Sequence, residues 1–164
     1  MARKTADAEQ RPQPTEQEKA EKLQEIMQEE MGKPLRYVKH DVDAHRDPKL
    51  EDLRDLHGFD ALGRWWLLVE LLASRQWHRY ETDRPNGWAR LAHDLEFDGP
   101  DAEERCREFV GWLLDLRLLH VESFEEDGYV RSERIERNAY EMVEKSAQGN
   151  LGIWVREYGK QSHE

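Results

Sequence analysis

The chain has 164 residues, 37% hydrophobic and 37% charged, which suffices for one modest core and leaves a polar surplus for solvated tails. Its 36 Asp plus Glu outweigh 25 Lys plus Arg, giving a formal charge of -11; a general positive field that gathers phosphate backbones is excluded, and any nucleic-acid contact must be local. No apolar run approaches the roughly 18 residues of a spanning helix, MARKTADAEQ lacks a signal-peptide core, and the single Cys106 excludes an internal disulfide and a Cys-cluster zinc site.

Residues 1–33 form a charged N-terminal arm whose bulky apolar residues are Leu23, Ile26, Met27 and Met31. Thr15 and Glu18 fit a capping box, and Gly32 with Pro34 fits a stop, so the spacing predicts a marginal helix over 16–31. Residues 35–42 read as an extended entry segment. Asp47 and Pro48 then supply an N-cap and a first-turn proline to a helix carrying Leu50, Leu53 and Leu56, with Gly58 as its stop. Asp60 is placed to cap the next helix, where Leu62, Trp65, Trp66, Val69, Leu72 and Ala73 recur at three and four residues and Leu67, Leu68 and Leu71 widen the stripe. Such a helix is apolar on most sides and belongs at the centre.

Residues 81–86 break the pattern. Trp88, Leu91, Ala92 and Leu95 mark a short helix, Phe97 to Pro100 a tight turn, and Cys106, Phe109, Val110, Leu113 and Leu114 a longer helix running into Leu116. This is a helix-turn-helix pattern. Leu119, Val121 and Ser123 alternate with His120, Glu122 and Phe124, and Glu125 to Gly128 separate them from Tyr129 and Val130, which reads as a hairpin. A last helix starts near Ser132, carries Ile135, Ala139, Met142 and Val143, and is expected to end before Gly149 and Gly152. There are no internal repeats. The expected fold is mainly α, a winged helix (helix-turn-helix plus β-hairpin wing) with flanking N- and C-terminal helices. The expected organisation is an arm over 1–33, a winged-helix domain over 34–146, and a C-terminal tail with an aromatic docking segment over 147–164.

The stretches YVKHDVDAHRDPKLEDLRDLHGFDALGRWWLLVELLA, WARLAHDL, FVGWLLDLRLLHVE and YVRSERIERNA resemble the N-terminal domain of DnaD-like phage and prophage replisome-organiser proteins. The resemblance covers about residues 35–145. It rests on Tyr37, Asp41 and Asp43, the helix led by Asp47, Gly58 with Gly63, the Leu-rich helix through Leu71, the pair Leu91 and Ala92, the leucines before the wing, and Ser132 to Arg137. It implies a winged-helix domain in phage DNA replication, often followed in the family by a second domain that binds DNA or the helicase loader. This chain has no room for that domain, and Arg117 stands where the family often has a glycine before the wing.

A DNA-reading winged helix carries basic or amide side chains on its second helix and wing. Here Asp98 to Arg117 hold six acids against Arg105, Arg107 and Arg117, and the expected wing tip adds Glu125, Glu126 and Asp127. Those acids repel phosphate and point to a protein-binding or self-associating surface. The opposite signal is Arg75, Trp77, His78, Arg79, Tyr80, Arg84, Trp88 and Arg90, bases interleaved with aromatics as on single-strand stacking surfaces. Arg75, Trp77, Arg79, Arg84 and Arg90 are the candidate nucleic-acid residues; tryptophans completing the core with arginines on its rim are the plainer alternative. His40, Asp41, Asp43 and His45 have metal-donor chemistry, but an extended segment sends alternate side chains apart, so no metal or other cofactor is expected. Glu70 reads as a rim acid or an arginine partner, and Cys106 as a small core residue. In the tail, Leu151, Ile153, Trp154, Val155 and Tyr158 call for burial, either on the chain's own core or on a partner. Trp154 and Tyr158, with Glu125, Glu126 and Asp127, are the candidate partner-binding residues.

The expected function is non-enzymatic: a cytoplasmic replisome-organiser-like protein acting in DNA replication or its control mainly through protein contacts, with homodimerisation a further expectation, direct DNA contact left open and no membrane partner. The alternatives are an acidic phage-encoded inhibitor of a host nucleic-acid enzyme or defence complex (anti-CRISPR-like), and a winged-helix transcriptional regulator with a basic face built from Arg75 to Arg90.

Overall fold

The computed structural model describes residues 12–158. The rest of the expected arm (1–11) and tail (159–164) lies outside the described residues. The chain forms two compact units, Met31–Glu141 and a second made of 1–30 with 142–164.

In the larger unit, a 3-10 turn at Ala44–Arg46 leads to α2 (Pro48–Ala73), where the Asp47 side chain accepts from the Lys49 backbone N–H at 3.0 Å and Pro48 opens the first turn. Such a cap is worth about 1 kcal/mol. Gly58 interrupts α2 at φ 84°, ψ 173°, a backbone region that is essentially glycine-only, so the expected stop is a sharp break from which the helix resumes. Leu50 and Leu53 turn inward, whereas Leu56, third in the expected stripe, is 69% exposed beside the break and Phe59 is 78% exposed. Trp65, Leu68 and Leu72 form the centre of the core with Leu91 of α3 (Gly87–Asp94), Leu95 just past its end, Phe109, Val110 and Leu113 of α4 (Ala102–Asp115), and Val130 and Ile135.

Both helices of the α3–α4 motif end in the same way. The Phe97 N–H donates to the Ala92 carbonyl at 2.9 Å and that of Glu96 to His93 at 3.0 Å; the Leu118 N–H donates to Leu113 at 2.9 Å and that of Arg117 to Leu114 at 3.0 Å. These are paired Schellman bonds, which need a left-handed residue at the turn. Glu96 (φ 58°) and Arg117 (φ 55°) take it without being glycine. At Arg117 the Lys49 ammonium donates to the carbonyl at 2.8 Å and helps hold the bend.

The expected hairpin over 119–130 does not form. Val121–Asp127 is a helix, α5, ended by Gly128 at φ 66°. Glu122, Glu125 and Glu126 are poor strand residues and good helix formers, and the αL glycine is a helix stop. Only Tyr129–Arg131 is a strand, β2, and it pairs antiparallel with β1 (Arg79–Glu81), with Arg79 opposite Arg131, Tyr80 opposite Val130 and Glu81 opposite Tyr129. The mainly helical class thus holds, with one two-stranded sheet among the described residues whose strands lie on either side of α3, α4 and α5 in the sequence.

The smaller unit contains most of α1 (Glu16–Met31) and the end of α6 (Glu133–Tyr158). The capping box forms as read: the Thr15 N–H donates to the Glu18 carboxylate at 2.7 Å and the Glu18 N–H to the Thr15 hydroxyl at 3.2 Å. No residue of α1 is fully buried, whereas Val143 and Ala147 of α6 are. The expected end before Gly149 is overridden, because α6 continues through Gly149 and Gly152 to Tyr158. Each glycine costs about 1 kcal/mol relative to alanine, and continuing the helix keeps Leu151, Trp154 and Val155 half-buried. No helix among the described residues is long and apolar enough to cross a membrane.

Glu96→Gly is expected to stabilise the protein by about 0.5–1 kcal/mol, since relief of left-handed strain exceeds the added chain entropy. Glu96→Val, β-branched at the same φ, is expected to destabilise it. Thermal melts of the two variants check the pair, and a lower midpoint for the glycine variant would contradict the account of this cap.

Candidate functional site

The three residues of β1 alternate, burying Tyr80 and leaving Arg79 and Glu81 half-exposed. Between α2 and β1 the chain turns through Gln76–His78, with Trp77 at φ 58° and His78 at φ 51°. Two consecutive left-handed non-glycine residues are held by their surroundings. The Trp77 N–H donates to the Gly32 carbonyl at 2.9 Å, and the indole lies so close that a Cβ on Gly32 would stand 2.9 Å from it. Trp77 as a whole remains 56% exposed. His78 is buried among the backbone carbonyls of Met31, Ala73 and Arg75, but neither ring nitrogen makes a well-formed hydrogen bond. Burial lowers its pKa below the usual histidine value, opposed by those carbonyls and by Glu136.

After β1, Arg84–Pro85–Asn86–Gly87 makes a turn in which the Gly87 N–H donates to the Arg84 carbonyl at 2.8 Å and Asn86 sits at φ 60°, ψ 19°, the proline-then-left-handed pattern of a type II turn. Gly87 is required by close approach, since a Cβ there would lie 2.4 Å from the Thr82 carbonyl oxygen. Thr82 anchors the loop by donating from both its N–H (3.0 Å) and hydroxyl (2.8 Å) to the Gly128 carbonyl.

These turns form a cleft of about 530 Å³ whose lining includes all five sequence candidates, Arg75, Trp77, Arg79, Arg84 and Arg90. Its volume is in the range of small-ligand sites (~300–1,000 Å³). Two guanidiniums are fixed on aromatic faces: Arg75 lies 4.1 Å from the Tyr80 ring centre and Arg79 4.1 Å from that of Tyr129. Arg75 is also 3.4 Å from Asp94, which accepts from the Tyr80 hydroxyl at 3.3 Å; burial and Asp94 push the Tyr80 pKa up to about 12. Glu81, the one acid in the lining, serves both Arg79 and Arg84. Among the described residues Arg90 has no ion-pair partner. The cleft is therefore a cationic pocket on an acidic protein.

The remaining sequence candidates lie elsewhere. Trp88 faces Phe124 edge-on at 6.0 Å under Arg107, and His78 is interior. Glu125, Glu126 and Asp127, read as a wing tip, are the exposed last turn of α5. Trp154 packs edge-to-face on Tyr158 at 4.9 Å, and the Tyr158 hydroxyl donates to Glu18, so these aromatics are partly covered by their own unit. His40 packs at a tilt against Trp66 at 4.3 Å while Asp41 faces Arg134 at 4.0 Å, and no three metal-donor side chains converge among the described residues. Glu70 is exposed. Cys106 is buried, which pushes its pKa up to about 12. Sequence reading missed Glu81, Asp94 and the role of Gly87; the signal for Glu81 was the Arg-Tyr-Glu alternation, too short to read as a strand. No family model matches the chain, nor does any curated protein or solved structure.

Gly87→Ala is expected to cost about 1–3 kcal/mol by forcing the loop off Thr82, read as a lower denaturation midpoint. The depressed His78 pKa has a defined sign: stability is complete above the unfolded value near 6.5 and is lost as pH falls through the lower folded value. The melting temperature is expected to drop between pH 7.5 and 5.5 by more in the natural chain than in His78→Gln. Equal slopes would remove His78 as a source of acid sensitivity.

Proposed function

We propose that this chain is a non-enzymatic protein of the winged-helix kind, similar to phage and prophage replisome organisers, that works in DNA replication or its control through protein contacts. Support for the winged-helix part comes from the order of elements: α3 and α4 lie between the two strands of one small sheet, with α5 in the place of the wing's first strand.

The observation that carries the functional part is the acidic outer surface of α4. Arg105 and Arg107 are held by Asp101 (3.6 Å) and Glu103 (2.7 Å). Glu104, Glu108 and Asp115 are exposed and have no ion-pair partner among the described residues, and the end of α5 adds three exposed acids. A recognition helix in the major groove would bring these carboxylates against phosphates. A basic protein surface is the complementary partner.

Two measurements test the reading. Duplex DNA of mixed sequence is expected not to bind at 0.15 M salt in fluorescence anisotropy, and tight sequence-dependent binding would transfer the protein to the transcriptional-regulator class. A photo-crosslinking residue at Asp115, introduced in the native host, is expected to trap replication proteins, and Glu104→Lys with Glu108→Lys in the same chain to abolish the adduct. Adducts confined to a nuclease or defence complex would favour an inhibitor instead.

A further inference from the structure

The Arg75–Arg90 cleft shares no lining residue with α4 and has its own chemistry. It contains four arginines and one open aromatic face. The Tyr80 and Tyr129 rings are already covered by Arg75 and Arg79, whereas the indole of Trp77 is exposed at the cleft and fixed by Gly32. An exposed tryptophan on a strained backbone gains nothing from solvent. It is pre-positioned, so little ordering entropy remains to be lost on binding.

We propose that this cleft binds single-stranded nucleic acid, with the guanidiniums of Arg84 and Arg90 on backbone phosphate and an unpaired base stacked on Trp77. Guanidinium edges match phosphate oxygens in a bidentate geometry. Arg90 has no ion-pair partner among the described residues, and Arg84 shares its single carboxylate, Glu81, with Arg79, so both offer N–H groups to a ligand. Arg75 and Arg79, fixed on their rings, supply positive potential without having to move. Stacking on Trp77 requires a base face that a continuous duplex keeps covered, which selects single strands. An acidic peptide would satisfy the arginines and leave the indole face unused. The inference does not depend on the α4 surface, and the two are separable by mutation.

The test is anisotropy of the full chain with fluorescein-labelled oligothymidylate of about 20 nucleotides, beside a duplex of equal length and poly-glutamate as competitor, over a salt series from 0.05 M. Binding of the single strand in preference to duplex is expected. Arg84→Ala with Arg90→Ala is expected to weaken it and to reduce the log–log salt slope by about 1.4, at roughly 0.7 per phosphate contact. Trp77→Leu is expected to weaken it about 5- to 150-fold with the slope unchanged, the signature of a lost stack. Unchanged melting temperatures establish that the variants are folded, and Glu104→Lys with Glu108→Lys, which tests the protein-contact reading, is expected to retain this dependence on Arg84, Arg90 and Trp77. Equal affinity for duplex, insensitivity to Trp77→Leu, or no binding at 0.05 M salt would each overturn the proposal. Displacement by poly-glutamate at equal charge concentration would reassign the cleft to an acidic protein segment.

Discussion

The pairing of β1 with β2 is the constraint on which the larger unit depends. Thr82 and Gly128 are 46 residues apart, and closing a loop of that length costs about 3 kcal/mol in its length-dependent part. Tyr80 and Val130, opposite each other and buried, offset this at about 1.5–3 kcal/mol per large side chain. The same register sets Arg79 directly across from Arg131, a like-charge pair that would weaken the ladder. Glu81 beside Arg79 at 3.5 Å and Glu136 beside Arg131 at 2.7 Å neutralise it. Because Tyr80 and Val130 fill the inner face of the sheet, the alternation of side chains sends Arg79 and Arg131 to its outer face.

What was legible in the chain was local. The capping box at Thr15, the Asp47–Pro48 start and the apolar spacing of α2, α3 and α4 each involve residues within one or two turns, and each formed. Three-residue strands have no periodicity to read, and a partner about 46 positions away leaves no local mark, so neither β1 nor the pairing of β2 with it is apparent from the sequence. The alternation of Leu119, Val121 and Ser123 mimicked a strand where Glu-rich helix propensity and Gly128 decided otherwise. Gly149 and Gly152 failed as stops because the helix beyond them carries apolar residues. The arginines and Trp77 were identifiable as a set, but Trp88 was not separable from them, since its orientation follows from the axis of α3 and not from its position in the sequence.

Charge segregation gives this protein two length scales. At 0.1 M salt, fields fade over about 10 Å, so a polyanion approaching from afar meets the net charge of -11 only weakly, while one already at the cleft meets arginines at contact distance. Attraction is confined to short range and association receives little long-range steering. Such a surface favours ligands delivered to it, as when a partner protein holds them nearby, over capture from bulk solution.

The one thiol of the chain has a consequence of a different kind. Cys106 lies on the buried side of α4, and its low acidity leaves almost no thiolate in the native state. A disulfide reagent can therefore reach it only when α4 detaches, so its reaction rate reads the opening free energy of that helix in the unmodified chain. The native sequence thus carries a single built-in reporter of local unfolding at α4, and labelling kinetics with and without a bound partner would show whether that partner holds α4 in place.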